Sequence, residues 1–306
     1  MDERERLIEK MADDKLVRYF YLDLPTEKVL DAMDALQLRI TASQDEVPFN
    51  AQVKGYIGAV DSDGDPWILK PVLDAKEALY HRICALAFLL DHWMGTISAP
   101  TTVFRIDGKL YRAAKVVKRA VQISSYNYLE HPYIDALRAD LVNRWLYFDE
   151  DRNPNNYLVI HNKREVPFLV AIDFDKADLE ADYMKIVGMQ DKFGWIRGEK
   201  TRFLTLLRPD NFEGVPLETF EVRLSALSAI PEDAVRKIAL ALVEGYCADP
   251  GELASRLVSN FLMRRAYIVE YFRRMFKPES ETRNISNAEE YSMFGASFLA
   301  MNRNKK

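Results

Sequence analysis

Residues 149–177 read DEDRNPNNYLVIHNKREVPFLVAIDFDKA, and this stretch decides the fold. Asp151 and Asn156 lie five apart in a segment rich in turn-forming residues. Tyr157–Ile160 and Phe168–Ile172 then have the β-branched and aromatic content of paired strands around the turn His161–Glu165. The chain next reaches Asp173. A loop bearing Asp and Asn, a hairpin and a second Asp is a layout suited to phosphoryl transfer. One carboxylate has to lie near an attacking hydroxyl, and an Asn and another Asp have to hold Mg²⁺ against a triphosphate. Amide and carboxylate oxygens suit that hard cation. The competing reading is that DRNPNN is only a good turn, so the rest of the chain has to decide.

Upstream, Tyr56–Val60 and Trp67–Lys70 form a second hairpin around Asp61-Ser62-Asp63-Gly64-Asp65. That acidic turn does not make a calcium loop: Pro66 and Val72 stand where an EF-hand needs Gly and Glu. Lys70 ends this apolar strand, and Glu77 opens the helix that follows, Ala75 to about Met94. In protein kinases a strand Lys contacts the α/β-phosphates and pairs with a helix Glu. The plainer readings are a strand-edge Lys with a solvated tip and a first-turn acid favoured by the helix dipole. Two strands, Thr102–Ile106 and Leu110–Ala114, and helical character over 131–147 complete the first half.

Nearer the N-terminus, Arg18–Leu24 is aromatic and β-prone, and a helix starts at Pro25 and Thr26. From about residue 216 the pattern turns helical: Val235, Ile238, Ala239, Leu242 and Val243 form one apolar stripe, Leu253, Leu257, Phe261, Ile268 and Phe272 another. Between the halves, Lys192, Arg197, Lys200, Arg202 and Arg208 add a basic cluster, read as a solvated face or a surface for an anionic substrate. Residues 277–306 are a polar tail with a weak apolar patch, Phe294–Met301.

Composition narrows the classes. With 42 basic and 47 acidic residues among 306, the net charge is −5, which gives no support to a general nucleic-acid coat. At 48% hydrophobic the chain is no disordered polymer. Cys84 and Cys247 stand far apart and form no disulfide framework; with four histidines, His81 and Cys84 read as neighbours on a packed helix, not as zinc ligands. The densest apolar run, Cys84–Leu90, falls short of the roughly 20 residues of a membrane span. The N-terminus alternates acid and base without an apolar signal region, so the expected location is the cytoplasm.

Taken in order, strand Lys, helix Glu, two strands, helix, Asp…Asn loop, hairpin, Asp and helical region resemble the kinase-like fold, and more specifically its HipA-like branch. The motif there is of the type D-R-H-x-x-N with an Asp after a short hairpin. Here it reads Asp151-Arg152-Asn153-Pro154-Asn155-Asn156, then Ile172-Asp173-Phe174. Phosphoinositide kinases share a similar arrangement. Lys70…Glu77…Leu86-Ala87…Ala99-Pro100 resembles the branch's strand and helix, and the half ending in Arg264-Arg265…Arg273-Arg274 resembles its helical lobe. The resemblance covers about residues 52–276. It departs at Asn153, where the family has His, and in 178–215, which matches nothing in it. It also lacks a clear glycine-rich loop: Gly55 and Gly58 are a weak pair, followed by an acidic turn where phosphates should sit.

The resemblance implies an α+β, bilobal, protein-kinase-like fold: a mixed strand and helix N-lobe over 1–118, a mainly helical C-lobe over 119–276 and a tail over 277–306. Asp151 would orient or deprotonate the acceptor hydroxyl. Asn156 and Asp173 would bind Mg²⁺, with Asp175 a further candidate ligand or else a surface acid paired with Lys176. Lys70 would contact the ATP phosphates, positioned by Glu77. Adenine would sit near Lys109–Val117, beside Tyr111 and Val116. The implied function is an ATP- and Mg²⁺-dependent HipA-like serine/threonine protein kinase. A small-molecule or lipid-headgroup kinase and a non-catalytic binding module are the alternatives, and a protein regulator is compatible with all three.

Overall fold

The computed structural model describes residues 3–41, 55–149, 151, 154–184, 215–276 and 278. Two sheets face each other across a cleft. The first contains β1 (Arg39–Ile40), β2 (Ile57–Val60), β3 (Pro66–Pro71), β5 (Thr101–Ile106) and β6 (Lys109–Lys115), in the order β1-β2-β3-β6-β5, all antiparallel. The second contains β4 (Ile97–Ser98), β7 (Val121–Gln122), β8 (Tyr157–His161) and β9 (Pro167–Ala171), in the order β4-β9-β8-β7, with β4 parallel to β9. Alternation along a strand sends successive side chains to opposite faces. Trp67, Leu69, Tyr111 and Ala113 therefore share one buried face of the first sheet with Leu38, Ala59 and Phe104. Ile68, Lys70, Arg112 and Ala114 line the cleft on the other.

The helices are α1 (Glu3–Met11), α2 (Asp14–Tyr19), α3 (Thr26–Asp34), α4 (Ala75–Trp93), α5 (Tyr133–Tyr147), α6 (Glu218–Ala229), α7 (Glu232–Val243) and α8 (Pro250–Met275). The architecture is α+β, with a mixed sheet-bearing part and a mainly helical C-terminal part. α4 begins at Asp74, whose carboxylate accepts the Glu77 N–H at 2.8 Å, while the Glu77 carboxylate accepts the Leu73 N–H at 2.7 Å. This is a capping box shifted by one residue. From Ile83 to His92 every residue of α4 is buried: Ile83–Leu90 is apolar all round, and Asp91 and His92 are hydrogen-bonded to Tyr147 and Thr26. The main core joins α3, α4, α5 and the three C-terminal helices.

Arg82 fixes the placement of α4. Its guanidinium donates to both Asp34 oxygens (2.7 and 3.0 Å), to Thr102 Oγ1 (2.7 Å) and to the carbonyls of Leu242 (3.0 Å) and Ala241 (3.1 Å). One side chain thus ties α4 to α3, β5 and α7.

The strand expected at Arg18–Leu24 is not formed. Asp13 accepts the Lys15 N–H at 3.1 Å and caps a helix there. Phe20 N–H and Leu22 N–H continue with bonds to Leu16 and Val17 carbonyls. The apolar side chains Met11, Val17, Phe20 and Leu22 pack on Ile97, Ile160, Phe168 and Val170 of the second sheet, so packing at helical spacing overrides β propensity. The basic cluster Lys192–Arg208, the patch Phe294–Met301 and Asn153 lie outside the described residues. Among the described residues no helix is long and apolar enough to cross a membrane.

Arg82→Ala is expected to destabilise the protein by about 2–4 kcal/mol, because buried acceptors lose a charged donor. Urea unfolding measures this as a lower midpoint at unchanged slope. A loss under about 0.5 kcal/mol, the range of ordinary surface changes, would show that α4 is held by apolar packing alone.

Candidate active site

The site is assembled from β3, β6 and the turn after β9. Register puts Lys70 directly opposite Arg112, so both side chains leave the sheet on the cleft face. Past β9, Phe174 is 2% exposed and packs edge-on against Tyr147 at 6.1 Å. That anchor leaves Asp173 and Asp175 on either side of it, facing the sheet. Asp173 has φ +60°, a left-handed conformation that Asp tolerates and most residues avoid.

The four charges meet. Arg112 Nη1 donates to Asp175 Oδ2 at 2.6 Å, and Nη2 to Asp173 Oδ1 at 3.0 Å. Lys70 Nζ stands 3.7 Å from Asp175 Oδ2. His81, from α4, lies 3.7 Å from Asp175 Oδ1 and 3.6 Å from Glu77 Oε1. Tyr80 O–H donates to the Asp175 carbonyl at 2.7 Å. Burial pushes the Asp175 carboxyl up from its ordinary range; Arg112 opposes this and Asp173 adds to it. Burial also pushes His81 down, against the pull of Asp175. The Arg112 guanidinium, pushed down by burial, is raised on balance by Asp175 and Asp173.

Above these charges runs a cleft of about 370 Å³. Ile68 and Ala114 form one wall, Leu158 and Ile172 the other. Lys70, Arg112 and Asp173 line one end and Val116–Val117 the other. Val116 lies four positions beyond Arg112, about 13 Å along an extended chain. The Val116 N–H donates to the Pro66 carbonyl at 2.9 Å, and the Val116 carbonyl accepts the Tyr19 hydroxyl. Among the described residues Val117 has no hydrogen-bond partner for its backbone N–H or C=O.

The Asp…Asn loop lies at the same end as the hairpin. The Asn156 carbonyl accepts the Ile172 N–H at 3.0 Å, which sets Asn156 beside the residue preceding Asp173. The Asn156 amide donates to the Asp151 carbonyl, closing the loop. Asp151 is exposed; its N–H donates to the buried Asp149 carboxylate at 3.1 Å. Among the described residues no three His, Cys, Asp or Glu side chains cluster as a metal site. Asn156 and Asp173 offer two hard oxygen donors, which fits Mg²⁺, a cation that takes one or two carboxylates and completes its shell with phosphates and water.

Four expectations change. Lys70 and Glu77 form no ion pair: Glu77 is engaged in capping α4 and faces His81, and Lys70 turns to Asp175. Tyr111 is buried on the far face of β6 by strand alternation and does not border the cleft, whereas Val116 does. The acidic turn sits at the far end of the hairpin from Lys70, since Val60 pairs with Pro66 there and Ile57 with Leu69 here. Its Asp61 accepts the N–H groups of Asp63, Asp65 and the Trp67 ring, and Lys115 sits 2.8 Å from Asp65. Asp175 is a half-buried partner of Lys70 and Arg112, not a surface acid. Arg112 and His81 were not assigned to the site from sequence. The signal for Arg112 was a cation in mid-strand on the alternate position of Leu110 and Ala114.

No protein-family model matches the chain, and no curated protein matches it. Among solved structures it is similar to the crystal structure of a Helicobacter pylori proinflammatory kinase, CtkA, at a TM-score of 0.47 and 10% identity. The match covers 72% of this chain and 94% of that one. At that distance the likeness adds nothing to the geometry above.

The turn after Asp175 is packed on α4, where Cys84 Sγ lies 3.7 Å from the Ala177 carbonyl. Burial pushes the Cys84 thiol up to about 12, which leaves almost no reactive thiolate at pH 8. A thiol reagent at pH 8 is expected to modify Cys247, which is half-buried, and to reach Cys84 only on unfolding. Equal labelling of both in the native protein would mean that this turn does not cover α4.

Proposed function

We propose that the chain is an ATP- and Mg²⁺-dependent phosphotransferase, a HipA-like serine/threonine protein kinase in two lobes, 1–118 and 119–276. The observation that carries this reading is the convergence of Lys70, Arg112 and Asp173 at one end of a single cleft. The cleft has apolar walls along its length, and Val117, whose backbone N–H and C=O have no partner among the described residues, lines its far end. A nucleoside triphosphate needs each of these: flat apolar walls for a base, a backbone edge to read it, and cations with a metal-ligating acid for its phosphates.

In this reading Asn156 and Asp173 hold the metal and Lys70 meets the phosphates. Bound Mg²⁺·ATP supplies the phosphoryl group and the neutralising charge. Asp151 orients the acceptor hydroxyl and takes up its proton. Its exposure outside the cleft favours an acceptor presented on a protein surface over a small molecule enclosed in a pocket.

Purified protein with Mg²⁺ and labelled ATP, assayed first for self-phosphorylation and then for transfer to lysate proteins, tests the proposal. Mg²⁺·ATP should raise the melting temperature by mass action. Asp151→Ala should keep nucleotide binding and lose at least about a hundredfold in transfer. Asp173→Asn, chosen because Asn also tolerates the left-handed backbone, should weaken both. If both variants fold and the wild type transfers no faster than Asp151→Ala to any acceptor, the site is a non-catalytic binding module.

A further inference from the structure

Arg112 stands beside Lys70 at the phosphate end of the cleft, but the reading above gives only Lys70 and the two metal-binding residues a partner there. Its guanidinium is a fork with unequal arms. The arm to Asp175 is 2.6 Å and ends on a carboxylate whose side chain is 23% exposed; the arm to Asp173 is 3.0 Å and ends on one 46% exposed. Arg112 itself is 12% exposed and lines the cleft beside Lys70. The looser arm therefore rests on the acid assigned to the metal.

Charge counting gives the arrangement a consequence. Lys70 and Arg112 face Asp173 and Asp175, and Glu77 stands next to His81 on the α4 side. A divalent cation that joined Asp173 while Arg112 stayed in place would bring two positive charges against a guanidinium already seated on that carboxylate. A nucleotide phosphate brings the compensating negative charge and a bidentate acceptor of the kind a guanidinium prefers.

We propose that Arg112 is a phosphate-binding residue that exchanges Asp173 for a nucleotide phosphate while keeping Asp175, and so makes the site's hold on a divalent cation depend on the nucleotide. This rests on the phosphotransferase reading above. Without nucleotide, Arg112 occupies Asp173 and excludes the cation. With nucleotide, the outer arm moves to phosphate, and Asp173 becomes available to the metal. Linkage makes the effect reciprocal: the cation strengthens the nucleotide by the factor by which the nucleotide strengthens the cation.

Mn²⁺ binding read by electron paramagnetic resonance, with ADP and adenosine as separate ligands, tests the exchange. Wild type should bind Mn²⁺ weakly alone and tightly with ADP. Arg112→Gln should bind Mn²⁺ alone at least about tenfold more tightly than wild type, since two carboxylates are left with one cation. Adding Asp173→Asn should remove that gain. Arg112→Gln should also lose about tenfold in affinity for ADP but not for adenosine, which has no phosphate. Arg112→Lys, which keeps the charge, should stay close to wild type in Mn²⁺ binding alone. An Arg112→Gln protein that holds Mn²⁺ no better than wild type overturns the proposal, as does one whose ADP affinity is unchanged. If that variant does not fold, a crystal structure of wild type with Mn²⁺ and ADP decides: Arg112 on phosphate and Asp175 supports the exchange, and Arg112 still on Asp173 overturns it. Wild type that binds no ADP, with or without Mn²⁺, overturns the phosphotransferase reading. That failure is recognisable separately, because the Mn²⁺ gain in Arg112→Gln needs no nucleotide.

Discussion

Both loops of the cleft depend on one buried guanidinium. Arg264, 1% exposed in the middle of α8, donates to the carbonyl of Leu146 at 3.0 Å and of Asp178 at 2.8 Å, and also to that of Ala181. Leu146 precedes the turn that leads to Asp151; Asp178 and Ala181 follow the turn that carries Asp173 and Asp175. The guanidinium also stacks on Phe148, 3.7 Å from the ring centre, where the chain leaves α5 with φ +51°. Burial pulls its pKa down to about 10, still far above neutrality, so the charge stays. A planar group with several fixed donors can hold three carbonyls from two segments at once, which Lys could not. The helical part therefore does more than complete a core: it fixes the distance between the loop bearing Asp151 and the turn bearing Asp173.

The other half of the site is set by register. Lys70 faces Arg112 because β3 and β6 pair as they do, and a slip of one residue would turn both to the opposite face. Register is protected on that opposite face, where Trp67 and Leu69 are fully buried among Phe104, Tyr111 and Ala113. It is protected at the end as well by Asp61, which accepts the Trp67 ring N–H, and by Lys115, buried against Asp65 and 4.2 Å from the Tyr19 ring. The acidic turn and its lysine thus serve the geometry of Lys70 from the far end of the same hairpin.

Much of this was legible in the chain. Hairpins, α4 and the C-terminal helices followed from periodicity and turn residues, because each has a strong local pattern that the tertiary structure does not contradict. Lys70, Asn156 and Asp173 stood out through their order along the chain, and the fold brings Lys70 and Asp173 to one cleft with Asn156 bonded to the residue before Asp173. What sequence reading missed is what only pairing supplies. Arg112 looks like an ordinary charged strand residue until register puts it opposite Lys70. Asp175 looks like a surface acid until Phe174 is seen to be buried. Arg18–Leu24 was misread for the same reason: its aromatic content suits a strand, but Asp13 caps a helix and the second sheet offers that helix a place to pack.

The choice of Asp175 over Glu77 as the neighbour of Lys70 follows from how α4 is held. Bringing Glu77 to Lys70 would take its carboxylate from the Leu73 N–H and from His81, and any shift of α4 itself would meet a fixed helix. Its whole middle is buried in the main core, and Arg82 ties it to Asp34, Thr102 and two carbonyls of α7. Moving it would break those bonds together with the α4 cap that Glu77 itself completes. A helix fixed in this way cannot act as a switch at modest cost, since packed interfaces shift between discrete arrangements and do not deform smoothly. The charged contacts free to adjust are instead those of Lys70 with Asp175, at 3.7 Å, and of Arg112 with the exposed Asp173, both made by long side chains on a paired strand. Adjustment in this site is accordingly a matter of side chains exchanging partners over a fixed backbone.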